Sequence, residues 1–188
     1  MQLILASNSP RRRELLAEDH IDFTVVPSRY EEAGVGLSAI ETVSRFSSGK
    51  AREVFSRFPD AVVLGADTVV ALDGVVLGKP KSSEHAAEML SMLSGRTHSV
   101  YTGVCLIGQG FCFEEVAETK VKFYDLSKET IESYVKSGLP LDKAGAYGIQ
   151  DGYPLVESYA GSYTNVVGLP MELVRTLLRK AKYDKTCD

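Results

Sequence analysis

The chain has 188 residues, of which 44% are hydrophobic and 24% charged, and its formal net charge is −4 at pH 7. These values predict one soluble globular domain, covering residues 1–188, with a sizeable core. An acidic chain is poorly suited to general nucleic-acid binding, so a site for a polyanion would have to be a local basic cluster. No apolar run approaches the roughly 18 residues that cross a membrane.

The three cysteines, Cys105, Cys112 and Cys187, are odd in number and lack the paired spacing of a metal motif. This usage is typical of incidental thiols in a reducing compartment. We therefore expect a cytoplasmic protein that binds neither nucleic acid nor a membrane.

The N-terminal third predicts alternating strands and helices. Pro10 fits the first position of a helix, and Ser9 fits its N-cap. A helical period of apolar residues precedes the stop at Pro59. The predicted elements are a strand over 2–6, a helix over 10–18, a strand over 23–26 and a helix over 41–58.

Three consecutive arginines, Arg11 to Arg13, fall in the first turn of the first predicted helix. The N-terminus of a helix carries partial positive charge, so each exposed cation there costs roughly 0.3–1 kcal/mol. A bound polyanion would make the free-energy contribution of each arginine favourable instead of unfavourable. The alternative for the triplet alone is a solvated charge run.

The rest of the chain predicts a hairpin, three helices and further strands. Asp73–Gly74 between two β-branched runs is a strong signal for a two-residue turn. The predicted strands are 61–64, 69–72, 75–77, 100–107 and 111–124, and the predicted helices are 83–93, 127–135 and a last one that Pro170 opens. We predict a single α/β domain with a mixed sheet rather than a uniformly alternating doubly wound one.

Asp67 interrupts the apolar segment VVLGADTVV. An uncompensated buried carboxylate is costly, so a partner must hold this one ionised. We expect it at a strand end facing a cleft, where a divalent metal or a reacting water would need the charge, although a turn-forming aspartate is the alternative. Glu31 and Glu32 follow a strand and are either solvent-facing or hard oxygen ligands for Mg²⁺.

Lys50 and Lys79 each follow a glycine, but neither belongs to a Walker phosphate loop. That motif needs glycine five residues before the Gly-Lys pair and Ser or Thr after the lysine, and both segments lack these residues. Each lysine could still place a point charge on a phosphate oxygen.

The segment LDKAGAYGIQ, residues 141–150, predicts a loop dense in small residues. We expect Gly145 and Gly148 to let the backbone approach a flat ligand closely. Gln150 can present a donor and an acceptor together, as an amide does when it reads a nucleobase edge. A simple glycine-rich turn is the alternative.

Taken together, these segments resemble the Maf family of nucleoside triphosphate pyrophosphatases. The motifs that carry the resemblance, in order, are ASNSPRRRELL, EE, GKA, GADTVV, GKP, SGRTHSVYTG, DKAGAYGIQ and VVGLP. The resemblance implies an elongated α/β fold with a cleft between two lobes. It also implies Mg²⁺-dependent, or alternatively Mn²⁺-dependent, hydrolysis of a nucleotide between its α- and β-phosphates.

The terminal glutamine of DKAGAYGIQ resembles the branch of the family that acts on dTTP and UTP. By this resemblance Asp67 is the general base, or a metal ligand together with Glu32, although Glu31 could take that place. Arg13 matches a variable position and is expected to face solvent. The implied substrate-binding residues are Ser7, Arg11, Arg12, Lys50 and Lys79, and the implied specificity residues are Arg11, Thr68 and Gln150.

A second hypothesis of a different class is a non-catalytic nucleotide-binding regulator of septation, because the family has been linked to inhibition of septum formation. Such a protein would keep the basic residues but would not need Asp67. The sequence also leaves the oligomeric state open, with a homodimer as one alternative.

Overall fold

The computed structural model describes residues 2–33 and 36–183. Within these ranges, seven strands, β1–β7, occupy Leu3–Leu5, Thr24–Val25, Val62–Leu72, Val75–Leu77, Thr97–Gly108, Phe111–Phe123 and Val156–Ala160. The same described residues form six helices, α1–α6, at Pro10–Glu18, Ala39–Arg57, Ser83–Leu93, Lys128–Lys136, Tyr163–Val167 and Met171–Lys180. Two 3₁₀ turns lie at Leu139–Asp142 and Ala144–Ala146.

All seven strands form one mixed sheet in the order β2-β1-β3-β5-β6-β7, with β4 paired to β3. The short strand β1 runs parallel to both β2 and β3, and the remaining pairs are antiparallel. Helices cover the sheet, so the predicted single α/β domain with a mixed sheet is confirmed. No helix within the described ranges is both long and apolar enough to span a bilayer.

The long strands β3, β5 and β6 extend between two ends of the sheet that have separate hydrophobic cores. At one end, Leu64 and Leu106 pack in a cluster with residues of α1 and α6, while Val63 faces α2 on the other side of the sheet. At the other end, Val70 and Val100 pack in a cluster with residues of α3 and α4. The molecule therefore has two lobes that share the middle of the same strands.

Asp67 lies in the middle of β3, where it pairs with Gly103 of β5. The prediction that it ends a strand was wrong, because the antiparallel pairing with β5 carries β3 through to Leu72 without a break. Its neighbours explain why a charge is tolerated there. Ala66 belongs to the first core and Val70 to the second, so Asp67 falls at the boundary between them.

Most local signals gave the correct elements with small shifts at their ends. Asp73 and Gly74 both have positive φ, 51° and 81°, as the predicted two-residue turn requires. Helix α2 begins before its predicted start because Ser38 and Glu41 form a capping box. Ser9 occupies the N-cap position of α1 but makes no capping hydrogen bond with its side chain.

Helix α2 lies unusually close to the sheet, and two glycines make this possible. A Cβ on Gly65 would lie 2.4 Å from the Ser47 carbonyl oxygen, and one on Gly103 would lie 2.2 Å from that of Val43. Both oxygens belong to the backbone of α2, which cannot yield as a flexible side chain can. The glycines therefore set the distance between α2 and the middle of β3 and β5.

We predict that Gly103→Ala lowers the free energy of unfolding by about 1–3 kcal/mol, because the added methyl group overpacks the contact between β5 and α2. Gly78→Ala is the matched control, since a Cβ there has nothing within 4 Å. It should change stability by no more than about 0.5 kcal/mol. Urea unfolding measures both, and equal stability of the two variants would contradict the close-approach argument.

Candidate active site between the two lobes

A pocket of about 680 Å³ opens between the two lobes. Glu31, the alternative metal ligand, is not among the residues that line it, whereas nine other residues that the sequence singled out for binding, catalysis or specificity lie in its wall. These residues are Ser7, Arg11, Arg12, Glu32, Lys50, Asp67, Thr68, Lys79 and Gln150. The site assembles from the β1–α1 connection, α2, the middle of β3 and the loop that follows the 3₁₀ turns.

Lys50 of α2 links two carboxylates at the centre of the pocket. Its Nζ atom lies 2.7 Å from Asp67 Oδ1 and 2.6 Å from Glu32 Oε1. The lysine and aspartate side chains are mostly buried, at 14% and 12% exposure, whereas that of Glu32 is 49% exposed. The charge on Asp67 thus has the partner that its burial demands.

The environment of Asp67 shifts its protonation equilibrium. Burial raises the pKa of this carboxyl above its usual range, and the nearby Lys50 ammonium, which favours the ionised form, only partly offsets that rise. A carboxylate with a raised pKa is a stronger base than one in water. The arrangement therefore suits proton acceptance as well as metal binding.

Arg12 is buried, with 9% of its surface exposed, and bonds chiefly to the protein. Its Nε donates to the Gly168 carbonyl at 2.8 Å, and Nη1 donates to the Ala66 carbonyl at 2.8 Å and to Ser7 Oγ at 3.2 Å. Its Nη2 donates to Thr68 Oγ1 at 3.1 Å. Four of the five N–H groups of the guanidinium are engaged in this way, so one remains for a ligand.

Arg11 has a different role in the described structure. Its Nη1 donates to Asp142 Oδ2 at 2.7 Å, and the side chain is 20% exposed. Asp142 lies in the 3₁₀ turn of the other lobe, so this ion pair bridges the cleft. Arg13 is exposed, as expected for the third arginine of the triplet.

Thr68 and two exposed polar residues, Lys79 and Gln150, complete the wall of the pocket. Thr68 Oγ1 lies 2.9 Å from Thr102 Oγ1 and accepts the Arg12 hydrogen bond, so its hydroxyl is fixed beside the guanidinium. Lys79 and Gln150 are exposed side chains that line the same pocket.

Sequence reasoning missed a buried polar network under the loop that carries Gln150. Lys143 Nζ donates to Asp142 Oδ1 at 2.9 Å and lies 3.4 Å from Asp151 Oδ2. The Tyr134 hydroxyl donates to Asp151 at 2.6 Å and accepts from the Gly148 backbone N–H at 2.9 Å. The sequence feature that could have indicated this network is a lysine and two aspartates close together in a segment otherwise rich in small residues.

The two glycines of this loop serve packing within the protein. Gly148 also lines the pocket and Gly145 does not, so close approach of the backbone to a flat ligand stays a prediction for Gly148. A Cβ on Gly145 would lie 2.7 Å from Val70, and one on Gly148 would lie 2.7 Å from both Asp151 and Lys143. Because Gly145 and Gly148 lack a Cβ, the loop can pack closely against β3 and against its own polar network.

Behind the pocket, Tyr147 bonds to a buried histidine. His98 Nε2 lies 2.8 Å from the Tyr147 hydroxyl, and Phe123 packs edge-on against both rings. Burial lowers the pKa of His98 to about 4, so the imidazole is neutral at physiological pH. This contact fixes one wall of the pocket.

A mixed α/β sheet with several cations and one buried carboxylate in a cleft between two lobes is typical of a protein that binds a small anionic ligand. The chain belongs to the Maf family, because residues 2–181 match the family model for Maf-like proteins.

Several relatives are similar over nearly the whole chain. A protein from Symbiobacterium thermophilum is 50% identical over 184 residues, which is 97% of this chain and 95% of that protein. One from Moorella thermoacetica is 51% identical, with 94% and 93% of the two chains covered. One from Thermococcus gammatolerans is also 51% identical, with 92% of each covered. All three bear the name dTTP/UTP pyrophosphatase.

Among solved structures, the Staphylococcus aureus Ham1 protein is similar in fold. It superposes with a TM-score of 0.55 at 12% sequence identity, over 96% of this chain and 100% of that one. This similarity supports the fold alone.

We predict that Arg12→Ala lowers the free energy of unfolding by more than about 2 kcal/mol, because it leaves the Ala66 and Gly168 carbonyls without this donor. Arg13→Ala, which changes an exposed neighbour, should shift stability by no more than about 0.5 kcal/mol. Denaturant midpoints measure the difference. Equal stability of the two variants would show that the buried guanidinium does not support the fold.

Proposed function

We propose that this chain hydrolyses dTTP and UTP between the α- and β-phosphates, releasing the nucleoside monophosphate and pyrophosphate. The observation that carries the proposal is a buried carboxylate, Asp67, in the wall of the pocket that also holds Arg11, Arg12, Lys50 and Lys79. A polyanion site needs only the cations, whereas hydrolysis also needs a base. The names of the relatives support the choice of substrates.

The cations address the main barrier to this reaction. A triphosphate carries about four negative charges, which repel a nucleophile until positive groups spread that charge over the phosphate oxygens. Preorganised donors of this kind contribute a few kcal/mol each to transition-state stabilisation. Here Arg11, Lys50 and Lys79 would contact the phosphate chain, and Arg12 would offer its remaining N–H group.

Asp67 would accept the proton of the attacking water. Its position in a strand shared by both cores fixes the carboxylate, and Lys50 holds one of its oxygens in place at 2.7 Å. As the water oxygen bonds to the α-phosphorus, its proton passes to Asp67 and the bond to the leaving pyrophosphate breaks. The raised pKa of Asp67 favours that transfer.

The residues present also fit a divalent metal. Glu32 and Asp67 both reach the Lys50 ammonium, so two hard oxygen donors already converge on one cation. Such donors match Mg²⁺ or Mn²⁺. Glu32 and Asp67 would hold the ion, which when bound would neutralise phosphate charge and lower the pKa of a coordinated water.

The proposed nucleoside triphosphate substrates and the unlinked thiols of Cys105 and Cys112 favour a cytoplasmic location for the protein.

The second candidate is a regulator of septation that binds the same nucleotides without turnover. Pyrophosphate release from dTTP, measured with purified protein and Mg²⁺, separates the two. Release at a rate that scales with enzyme concentration supports hydrolysis. Tight dTTP binding without release would favour the regulator.

We predict that Asp67→Asn reduces kcat for dTTP by about 100-fold or more, because the amide keeps the shape of the side chain but cannot accept the proton. The control is dTTP binding by calorimetry, which should persist because the phosphate-binding cations are unchanged. Near wild-type turnover by the folded variant would remove Asp67 from the mechanism.

We also predict that Gln150→Ala lowers the preference for dTTP over dCTP. In contact with a bound base, the Gln150 amide could donate to a carbonyl of thymine and accept from its N3–H, whereas cytosine presents the opposite groups at two of these positions. Each polar group that a bound base buries and leaves unpaired costs roughly 1–3 kcal/mol, so the ratio of kcat/KM values should fall by about fivefold or more. An unchanged ratio would place specificity elsewhere in the pocket.

A further inference from the structure

Three potential metal ligands lie together on the hairpin of β5 and β6, on the side of the sheet that faces α2. Cys105 pairs with Glu114 across the hairpin, and Ile107 pairs with Cys112, so all four side chains share one face. The ligand atoms of Cys105, Cys112 and Glu114 all lie within 4.8 Å of one another. None of these residues lines the pocket between the lobes.

Two distances within this cluster match the edges of a metal coordination tetrahedron. Cys105 Sγ lies 3.9 Å from Cys112 Sγ, and Cys112 Sγ lies 3.6 Å from Glu114 Oε1. For zinc, bond lengths of about 2.3 Å to sulfur and 2.0 Å to oxygen give edges of about 3.8 Å between sulfurs and about 3.5 Å between sulfur and oxygen. Two of the three edges therefore fit one ion as they stand, and the third, between Cys105 Sγ and the Glu114 carboxylate, is no longer than 4.8 Å.

A cationic side chain already touches the cluster. Arg52 Nη2 lies 2.8 Å from Glu114 Oε1 and 3.3 Å from Cys112 Sγ. Its side chain is 56% exposed, so it can swing into solvent at little cost. The positively charged Arg52 guanidinium lies beside these donor atoms and would compete with a metal ion for them.

We infer that Cys105, Cys112 and Glu114 form a second metal site, separate from the catalytic pocket, for a thiophilic divalent cation such as Zn²⁺. Three protein ligands leave a fourth position for water. Cys105 is buried and the other two ligands are exposed, so an ion can enter from the solvent side. Thiolates distinguish this site from the all-oxygen pair Glu32 and Asp67, which suits Mg²⁺.

A disulfide is the competing chemistry for two adjacent thiols, and the register disfavours it. Cys105 and Cys112 are diagonal neighbours across an antiparallel pair. Diagonal Cα atoms lie about 7–8 Å apart, which exceeds the separation of about 7 Å that a disulfide bridges without backbone movement. A metal ion spans the observed sulfur separation as it stands.

The test uses the reduced full-length chain titrated with Co²⁺, which gives an intense thiolate-to-metal charge-transfer absorption, followed by displacement with Zn²⁺. We expect one equivalent of Co²⁺ to produce the band and Zn²⁺ to abolish it. Cys112→Ser should weaken binding by about 100-fold or more, because it removes an exposed ligand without disturbing the core. Cys187→Ser is the matched control and should leave the band unchanged.

The Arg52→Gln substitution is expected to strengthen metal binding, whereas Cys112→Ser should weaken it. Removing a competing positive charge about 4 Å from the ion should tighten Zn²⁺ binding by about fivefold or more. Absence of the band in the reduced wild-type chain would overturn the proposal, as would its persistence in Cys112→Ser or its loss in Cys187→Ser. Weaker binding in Arg52→Gln would also contradict the geometry. None of these readouts depends on pyrophosphatase activity.

Discussion

The buried ion pair between Lys50 and Asp67 is the interaction on which the rest of this structure depends. It joins α2 to the middle of β3 at the boundary between two hydrophobic cores, where an unpaired carboxylate would be costly. The pair can form only because Gly65 and Gly103 let α2 approach the sheet. Packing and chemistry are therefore fixed by the same contact, since whatever separates the helix from the sheet also separates the lysine from the aspartate.

Carboxylates of the protein neutralise the cations of the pocket, and a bound polyanion could take over part of that role. Arg11 is paired with Asp142, and Lys50 with Asp67 and Glu32, so the described structure leaves neither cation isolated. A phosphate oxygen could replace Asp142 beside Arg11 at modest cost, because Asp142 is about half exposed and would regain water. Asp67 is buried and cannot leave in this way, which keeps its carboxylate in the wall of the pocket.

Local signals in the sequence predicted most of the fold, because helix caps, apolar periods and the Asp73–Gly74 turn act over a few residues. The motifs also identified residues that the structure brings into one pocket. The unpredicted features depend on contacts between distant segments. Strand β7 has little apolar alternation and forms by pairing with β6, and Asp67 proved to lie within a strand because of β5. Likewise, the spacing of Cys105 and Cys112 gives no metal motif, and only the hairpin register brings their sulfurs together.

The polar groups beneath the Gln150 loop connect the two ends of the pocket. Arg11 of α1 bonds to Asp142, and Lys143 contacts both Asp142 and Asp151. Asp151 accepts from Tyr134, which in turn accepts from the backbone of Gly148, two residues before Gln150. Because one ammonium serves both carboxylates, a ligand that draws Arg11 away from Asp142 also changes the charge balance around Lys143. If Arg11 engages phosphates and Gln150 contacts the base, as proposed, the two contacts are coupled, because the loop that carries Gln150 is anchored through this network to Arg11.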